Sequence, residues 1–216
     1  MKKIILLPVL FTVNISLLFA QKNTQQYPTP EFSNEIYFFK KDSAQVSRLE
    51  KGYSKMETKT KMGGMGGADN GYSLEGSRSS VRLEAGNLSF IFFNGDPSTD
   101  NNPQSDSAMR ANGMDPSMMN DAMSVMNDPS QTTSLYNMNV NKGNRKVTLQ
   151  SYNGMKIFGK SKKESIKYML SIKKIRKGYY ELIVDKPLTK GEYAFVVTGM
   201  GMSMDGSTML FAFGVD

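Results

Sequence analysis

The chain has 216 residues, 39% of them hydrophobic and 22% charged, with 27 Lys and Arg against 20 Asp and Glu, a length that fits one domain with a buried core. It contains no cysteine, histidine or tryptophan, which removes thiolate and imidazole nucleophiles, Ser-His-Asp triads, haem ligation and His/Cys zinc sites. The missing cysteine also removes disulfides and a Cys-linked lipid anchor, so stability must come from packing alone.

Residues 1–20 read as a signal peptide. Lys2 and Lys3 make a positive start, Ile4 to Leu18 is apolar with Thr12, Asn14 and Ser16 interspersed, and Leu18-Phe19-Ala20 precedes the expected cut. A retained membrane anchor is the alternative, but the apolar stretch is shorter than the ~20 residues a span requires. No second apolar run follows, so no transmembrane segment is expected after processing. The expectation is export, to the periplasm or beyond.

A polar lead occupies residues 21–34, and residues 35–216 are expected to form one domain. Period-two segments begin at Glu35 to Phe39. Tyr53 to Lys61 alternates Lys/Thr with Met/Glu, as a solvent-facing strand would, and ends in the Gly-rich tip Met62 to Gly67. Tyr72 to Glu75, Val81 to Glu84 and the strongly apolar Leu88 to Phe93 follow. Ile91-Phe92-Phe93 must turn an apolar side chain outward, which calls either for a second covering layer or for an exposed docking strip.

Residues 95–128 interrupt this rhythm. The segment is rich in Met, Asn and Asp and reads as an inserted loop; Asp-Pro-Ser occurs at Asp96, Asp115 and Asp128. Asp115-Pro116 has the N-cap and N1 signature of a short helix over Met114 to Met126.

Strands resume at Ser134 to Val140 and Arg145 to Gln150, joined by the turn Asn141-Lys142-Gly143-Asn144. Ile157-Phe158, Ile166 to Ile175, Tyr179 to Val184, Glu192 to Thr198 and Met209 to Val215 complete the series. In Ile166 to Lys173 the even positions are apolar and the odd ones polar, except Met169. Many short strands without a βαβ rhythm predict an all-β fold, an antiparallel β-sandwich or partly closed barrel.

Lys186 to Phe195, with Gly191-Glu192-Tyr193-Ala194-Phe195 at its end, and the later Phe211-Ala212-Phe213-Gly214-Val215-Asp216 resemble the ending of uncharacterised exported β-rich domains of Bacteroidota. Tyr72 to Gly76 with Ser79, Val81 and Arg82, and Asp128-Pro129-Ser130 running on to Lys142-Gly143-Asn144-Arg145-Lys146-Val147, are similar to their middle strands. The resemblance spans about two-thirds of the chain after residue 20 and implies export and a β-sandwich, with no activity attached. The insertion departs from that pattern.

Methionine is the sharpest compositional signal. After the leader, 16 methionines remain in 196 residues, against about 2% in ordinary composition. Met200, Met202 and Met204 alternate along one segment, and Met114 and Met118 fall one helical turn apart, so their thioethers could hold a soft ion such as Cu(I) or Ag(I). Met62 and Met65, and Met119, Met123 and Met126, add to the tally. The competing readings are an adaptable contact surface and low-complexity drift.

Six Asp in the insertion (Asp96, Asp100, Asp106, Asp115, Asp121, Asp128) match no calcium-loop spacing. Glu75, Glu84 and Glu192 lie in or beside strands and are the carboxylates a hydrolase would need. Ser161-Lys162-Lys163 reads as surface. Residues 96–130 carry a net −5 and the rest of the processed chain +10, which suits an anionic envelope component as partner, with a merely solvated cationic face as the alternative. Nucleic acid is not expected for an exported chain. No motif calls for a cofactor. The expectation is therefore a non-enzymatic binding or envelope-associated accessory protein whose partner is an unknown protein or an anionic envelope component; the alternatives are a soft-metal binder and, less favoured, a carboxylate hydrolase.

Overall fold

The computed structural model describes residues 26–60, 67–94, 107, 110–113, 115, 128–152, 164–198 and 205–216. Strands β1 (Glu35–Lys40), β2 (Gln45–Arg48), β3 (Glu50–Ser54), β4 (Glu57–Thr60), β5 (Ala68–Glu75), β6 (Arg82–Leu83) and β7 (Ser89–Phe93) precede the insertion. A one-turn helix, Pro129–Thr132, leads into β8 (Thr133–Asn141), β9 (Asn144–Tyr152), β10 (Lys167–Tyr168), β11 (Leu170–Arg176), β12 (Tyr179–Val184), β13 (Gly191–Val197) and β14 (Thr208–Val215). Two sheets result, as the alternation predicts. One has five strands in the order β11-β12-β7-β1-β2; the other has nine, following β3-β14-β13-β8-β9-β5-β4 with β10 beside β8 and β6 beside β14. Pairing is antiparallel except for the two-residue parallel contact of β6 with β14.

The larger sheet curls until its ends meet. β3 pairs with β14 at one end of the path and β4 with β5 at the other, yet only Lys55 and Met56 separate β3 from β4. Two residues span only a few ångströms, so the two ends of the path must be neighbours. Ser73 N donates to Ser54 Oγ at 2.9 Å across this seam, and a Cβ at Gly52 would run into Leu74. The single strand expected over Tyr53 to Lys61 is accordingly two strands, broken where the chain steps across the seam.

Strands β13 and β14 are buried on both faces. Tyr193, Phe195, Phe211, Phe213 and Val215 point at the five-stranded sheet and meet Phe90, whose ring lies 4.9 Å from Phe195 and 5.1 Å from Phe213. The small or slender Ala194, Val196, Leu210 and Ala212 point into the curl, against Tyr72, Leu74, Met138 and Val147. Large rings on one side and small residues on the other fit a flat sandwich interface and a tightly curved interior.

Several strands change sheets at a single residue. β2 continues into β3 through buried Leu49, and β10 into β11 through Met169, which is 70% exposed. Ile166 to Ile175 is thus one bent strand serving both sheets, and Met169, which broke its alternation, sits at the bend. The hairpin turn between β8 and β9 has positive φ at Lys142 and Gly143, as a two-residue hairpin loop requires. The third Asp-Pro-Ser copy begins the one-turn helix: Asp128 Oδ1 accepts from Ser130 N at 2.8 Å, with Pro129 in the first turn. The helix expected over Met114 to Met126, the strand at Ile157-Phe158, the leader 1–20 and most of the insertion 95–128 lie outside the described residues.

The outer face of the five-stranded sheet carries a third apolar cluster, Tyr37, Phe39, Ile91 and Tyr179 with Phe93 beside them. The segment from Tyr27 to Phe32 covers it. Tyr27 stacks on Phe39 at 5.5 Å and meets Tyr179 edge-on at 6.2 Å, Tyr179 Oη donates to Pro28 O at 2.6 Å, and Tyr37 Oη accepts from Phe32 N at 3.0 Å. The cover that Ile91 demands therefore comes from the chain's own polar lead.

Candidate functional site

Four features of the described residues can carry chemistry or recognition: a charged cluster at one rim of the curl, a carboxylate beneath the N-terminal segment, an open cleft, and a basic strand. The rim cluster is built by strands whose interior positions turn charged at their ends. Arg145, 1% exposed, donates to both carboxylate oxygens of Glu50 and to the carbonyls of Glu75 and Gly76. Ser79 joins the two acids: its Oγ donates to Glu50 at 2.6 Å and its N to Glu192 at 2.9 Å. Arg82 reaches Glu192 and Asp216 across β14 at Gly214, where a Cβ would sit on the guanidinium.

Burial pushes the Glu50 carboxyl up, but hydrogen bonds from Arg145 and Ser79 outweigh it and hold the group below its ordinary value. A carboxyl so held offers no proton near neutral pH. The cluster ties β3, β9, β13 and the Gly76 to Ser79 turn together, and its donors and acceptors are spent on one another.

Among the candidate hydrolase residues, Glu192 is buried in this cluster, Glu75 is exposed and enters it only by its carbonyl, and Glu84 is exposed on the wall of the cleft. The carboxylate that shares Ser79 and Arg145 with Glu192 is Glu50, a residue the strand pattern did not single out. Its signal was available in hindsight: Glu50 and Gly52 fall on the same side of β3, the side that faces the apolar interior.

Glu181, 2% exposed, stands among the aromatic residues of the outer face. Lys41 Nζ at 2.7 Å, Ser89 Oγ at 2.7 Å and Tyr27 Oη at 2.9 Å all donate to it. Burial raises its pKa, but these three donors together outweigh burial and leave it below its ordinary value. Tyr27 is pushed up to about 12, by burial first and then by Glu181. Glu35, buried on the same face, is bound by Arg48 and Lys51 at 3.0 and 3.1 Å.

The cleft measures about 480 Å³ and opens where Phe38 to Asp42 part from Arg82 to Ser89. Two of its cations, Lys41 and Arg82, are already committed to Glu181 and to Glu192 with Asp216.

The bent strand β10–β11 and its hairpin differ in kind. Lys167, Lys173, Lys174, Arg176 and Lys177 are all exposed, and none is ion-paired with a carboxylate among the described residues. Lys173 lies over the Tyr27 ring at 5.9 Å and donates to its Oη at 3.4 Å, and Arg176 lies over the Tyr179 ring at 4.7 Å and donates to Thr29 Oγ1 at 3.0 Å, so both are steered by aromatic rings without a direct ion pair to a described carboxylate.

Met114, Met118, Met200, Met202 and Met204 lie outside the described residues, as do Met62, Met65, Ser161 and four of the insertion's Asp. Asp115 is exposed, and Asp128 caps the one-turn helix. Among the described residues no group of three or more His, Cys, Asp or Glu side chains is placed to hold a metal ion. No helix among them is long and apolar enough to cross a membrane. No protein-family model, no curated protein and no solved structure matches the chain.

Proposed function

We propose that this chain is an exported, non-enzymatic binding module that presents its basic strand to an anionic component of the cell envelope. The observation that carries the reading is the run of five exposed cations from Lys167 to Lys177, none ion-paired with a described carboxylate, in a molecule whose buried charges are otherwise matched within their own clusters. Unpaired surface cations gathered on one strand create a local positive potential that raises the encounter rate and affinity for polyanions. The leader-like Lys2 to Ala20 and the resemblance to exported β-rich domains support the compartment.

Heparin, a soluble polyanion, tests the reading. Retention should weaken steadily with salt and drop when Lys167, Lys174 and Lys177 are replaced by Gln. Retention equal to that on uncharged dextran beads would end it.

Soft-metal binding by the methionines is the second reading, favoured by where the described chain enters and leaves two Met-bearing segments. Lys55 Nζ lies 3.3 Å from Asp205 Oδ2, and Ser54 pairs with Thr208, so the approach to residues 61–66 and the exit from residues 199–204 share one rim of the curl. Competition for Cu(I) against a chelator of known affinity tests it, with no binding tighter than micromolar as the negative result.

A further inference from the structure

We infer that the bent strand β10–β11 is a docking surface for an anionic lipid bilayer, an inference that rests on the anionic-partner reading and names the partner's source. Tyr168, Leu170 and Ile172 pack on the core between the sheets, so alternation turns Lys167, Met169, Ser171 and Lys173 away from it. Met169 is 70% exposed and Ile166 59%, more than any other large hydrophobic side chain among the described residues. Met169 shares its side of the strand with Lys167 and Lys173, whereas Ile166 falls on the side of Tyr168. Two carboxylates adjoin this stripe: Asp185, which accepts from Ser171 Oγ at 2.7 Å, and Glu181, which lies opposite Lys173 but is buried and already held by Lys41, Ser89 and Tyr27.

That combination separates partners. A soluble polyanion gains from the lysines and nothing from Met169 or Ile166. A bilayer gains from both: lysines meet the lipid phosphates while the apolar Met169 side chain enters the boundary between headgroups and acyl chains. Met169 is suited to insertion because it stands, 70% exposed, at the corner where the strand leaves one sheet for the other. A protein partner would instead bury the stripe against matched carboxylates.

The test is sedimentation of the leader-free protein with vesicles of phosphatidylcholine containing 30% phosphatidylglycerol, against vesicles of phosphatidylcholine alone, with heparin affinity measured in parallel. The protein should bind the anionic vesicles and not the neutral ones. Replacing Lys167, Lys174 and Lys177 by Gln should weaken vesicle binding by about a hundredfold, at about fivefold per cation. Met169→Asn should weaken vesicle binding several-fold and Ile166→Asn, on the other side of the strand, much less, both leaving heparin affinity unchanged. An unaltered urea midpoint for each variant shows that the fold is retained. Heparin binding without preference for anionic vesicles, or vesicle binding indifferent to Met169→Asn, overturns the lipid inference and spares the anionic reading. Binding to neither heparin nor vesicles overturns both.

Discussion

Replacing Arg145 by Met should be among the most damaging single changes in the protein. The side chain is 1% exposed and makes four hydrogen bonds, two to Glu50 and two to the carbonyls of Glu75 and Gly76. Its loss leaves Glu50 charged with only Ser79 Oγ and Ser80 N as donors, and leaves two turn carbonyls without their guanidinium. Removing one partner of a buried ion pair costs about 3–5 kcal/mol. The Glu50 side chain is 26% exposed, so water recovers part of this, and a loss of about 3 kcal/mol is expected. Glu50→Gln alone should cost about 1–2 kcal/mol, since an amide keeps the shape and one acceptor. The double variant should be less unstable than the sum, with a coupling of about 1.5 kcal/mol, because once Glu50 is also Gln the Arg145→Met protein no longer buries an unpaired charge. Urea unfolding of the four proteins measures each corner of the cycle. A loss under about 1 kcal/mol for Arg145→Met, or strict additivity, would refute the view that this cluster clamps the rim.

Acid should destabilise the protein through the same kind of group. Glu50 and Glu181 have depressed values in the folded state, so the unfolded chain takes up their protons first; their contribution is complete above the ordinary 4.5 and disappears as pH falls through the lower folded values. Unfolding midpoints measured from pH 6 to 3 should fall below pH 4.5, and less steeply in Glu181→Gln. At the alkaline end, Tyr27, Tyr168 and Tyr179 hold their protons up to about 12 against an ordinary 10.0, so stability declines from pH 10 to 12, and phenolate absorbance at pH 10.5 should rise further on adding denaturant. Gly214→Ala should cost about 1–3 kcal/mol by displacing Arg82 from Glu192, and Arg82→Ala should relieve most of that clash when combined with it.

The all-β class and most strand positions were legible because alternation registers burial on one face: Leu88 to Phe93, Tyr179 to Val184 and Met209 to Val215 fall within a residue or two of their observed strands. The breaks were not legible. Nothing local marks Lys55-Met56 as the point where a strand changes partners, and the exception at Met169 does not by itself say so, since that depends on which strand lies alongside. β2 escaped notice for a related reason: Gln45 to Arg48 is a short, mostly exposed edge strand with one inward apolar residue, Val46. The lead was read as polar from its composition, and Tyr27, one aromatic in a run of Gln, Thr and Pro, gave no sign of the aromatic face awaiting it. Glu181 went unremarked as well. It shares a side of its strand with Tyr179 and Ile183, and a carboxylate on an apolar side is a better sign of a buried ion pair than of a solvated face. Met169 was visible as an exception to alternation, and its exposure gives the exception a physical meaning.

The two-residue step from β3 to β4 also governs the order in which the molecule can assemble. β3 ends at Ser54, but its ladder partner is β14, residues 208–215, and until that strand arrives the seam against β5 has nothing to rest on. β14 also supplies the whole of one ladder of β13 and the partner of β6. Contacts of such sequence separation form late and slowly, because loop closure is unfavourable until the final pairings compensate it. In a chain whose second half completes the sheet begun by its first, the curl cannot close until residues 208–215 are free to pair with β3 and β13.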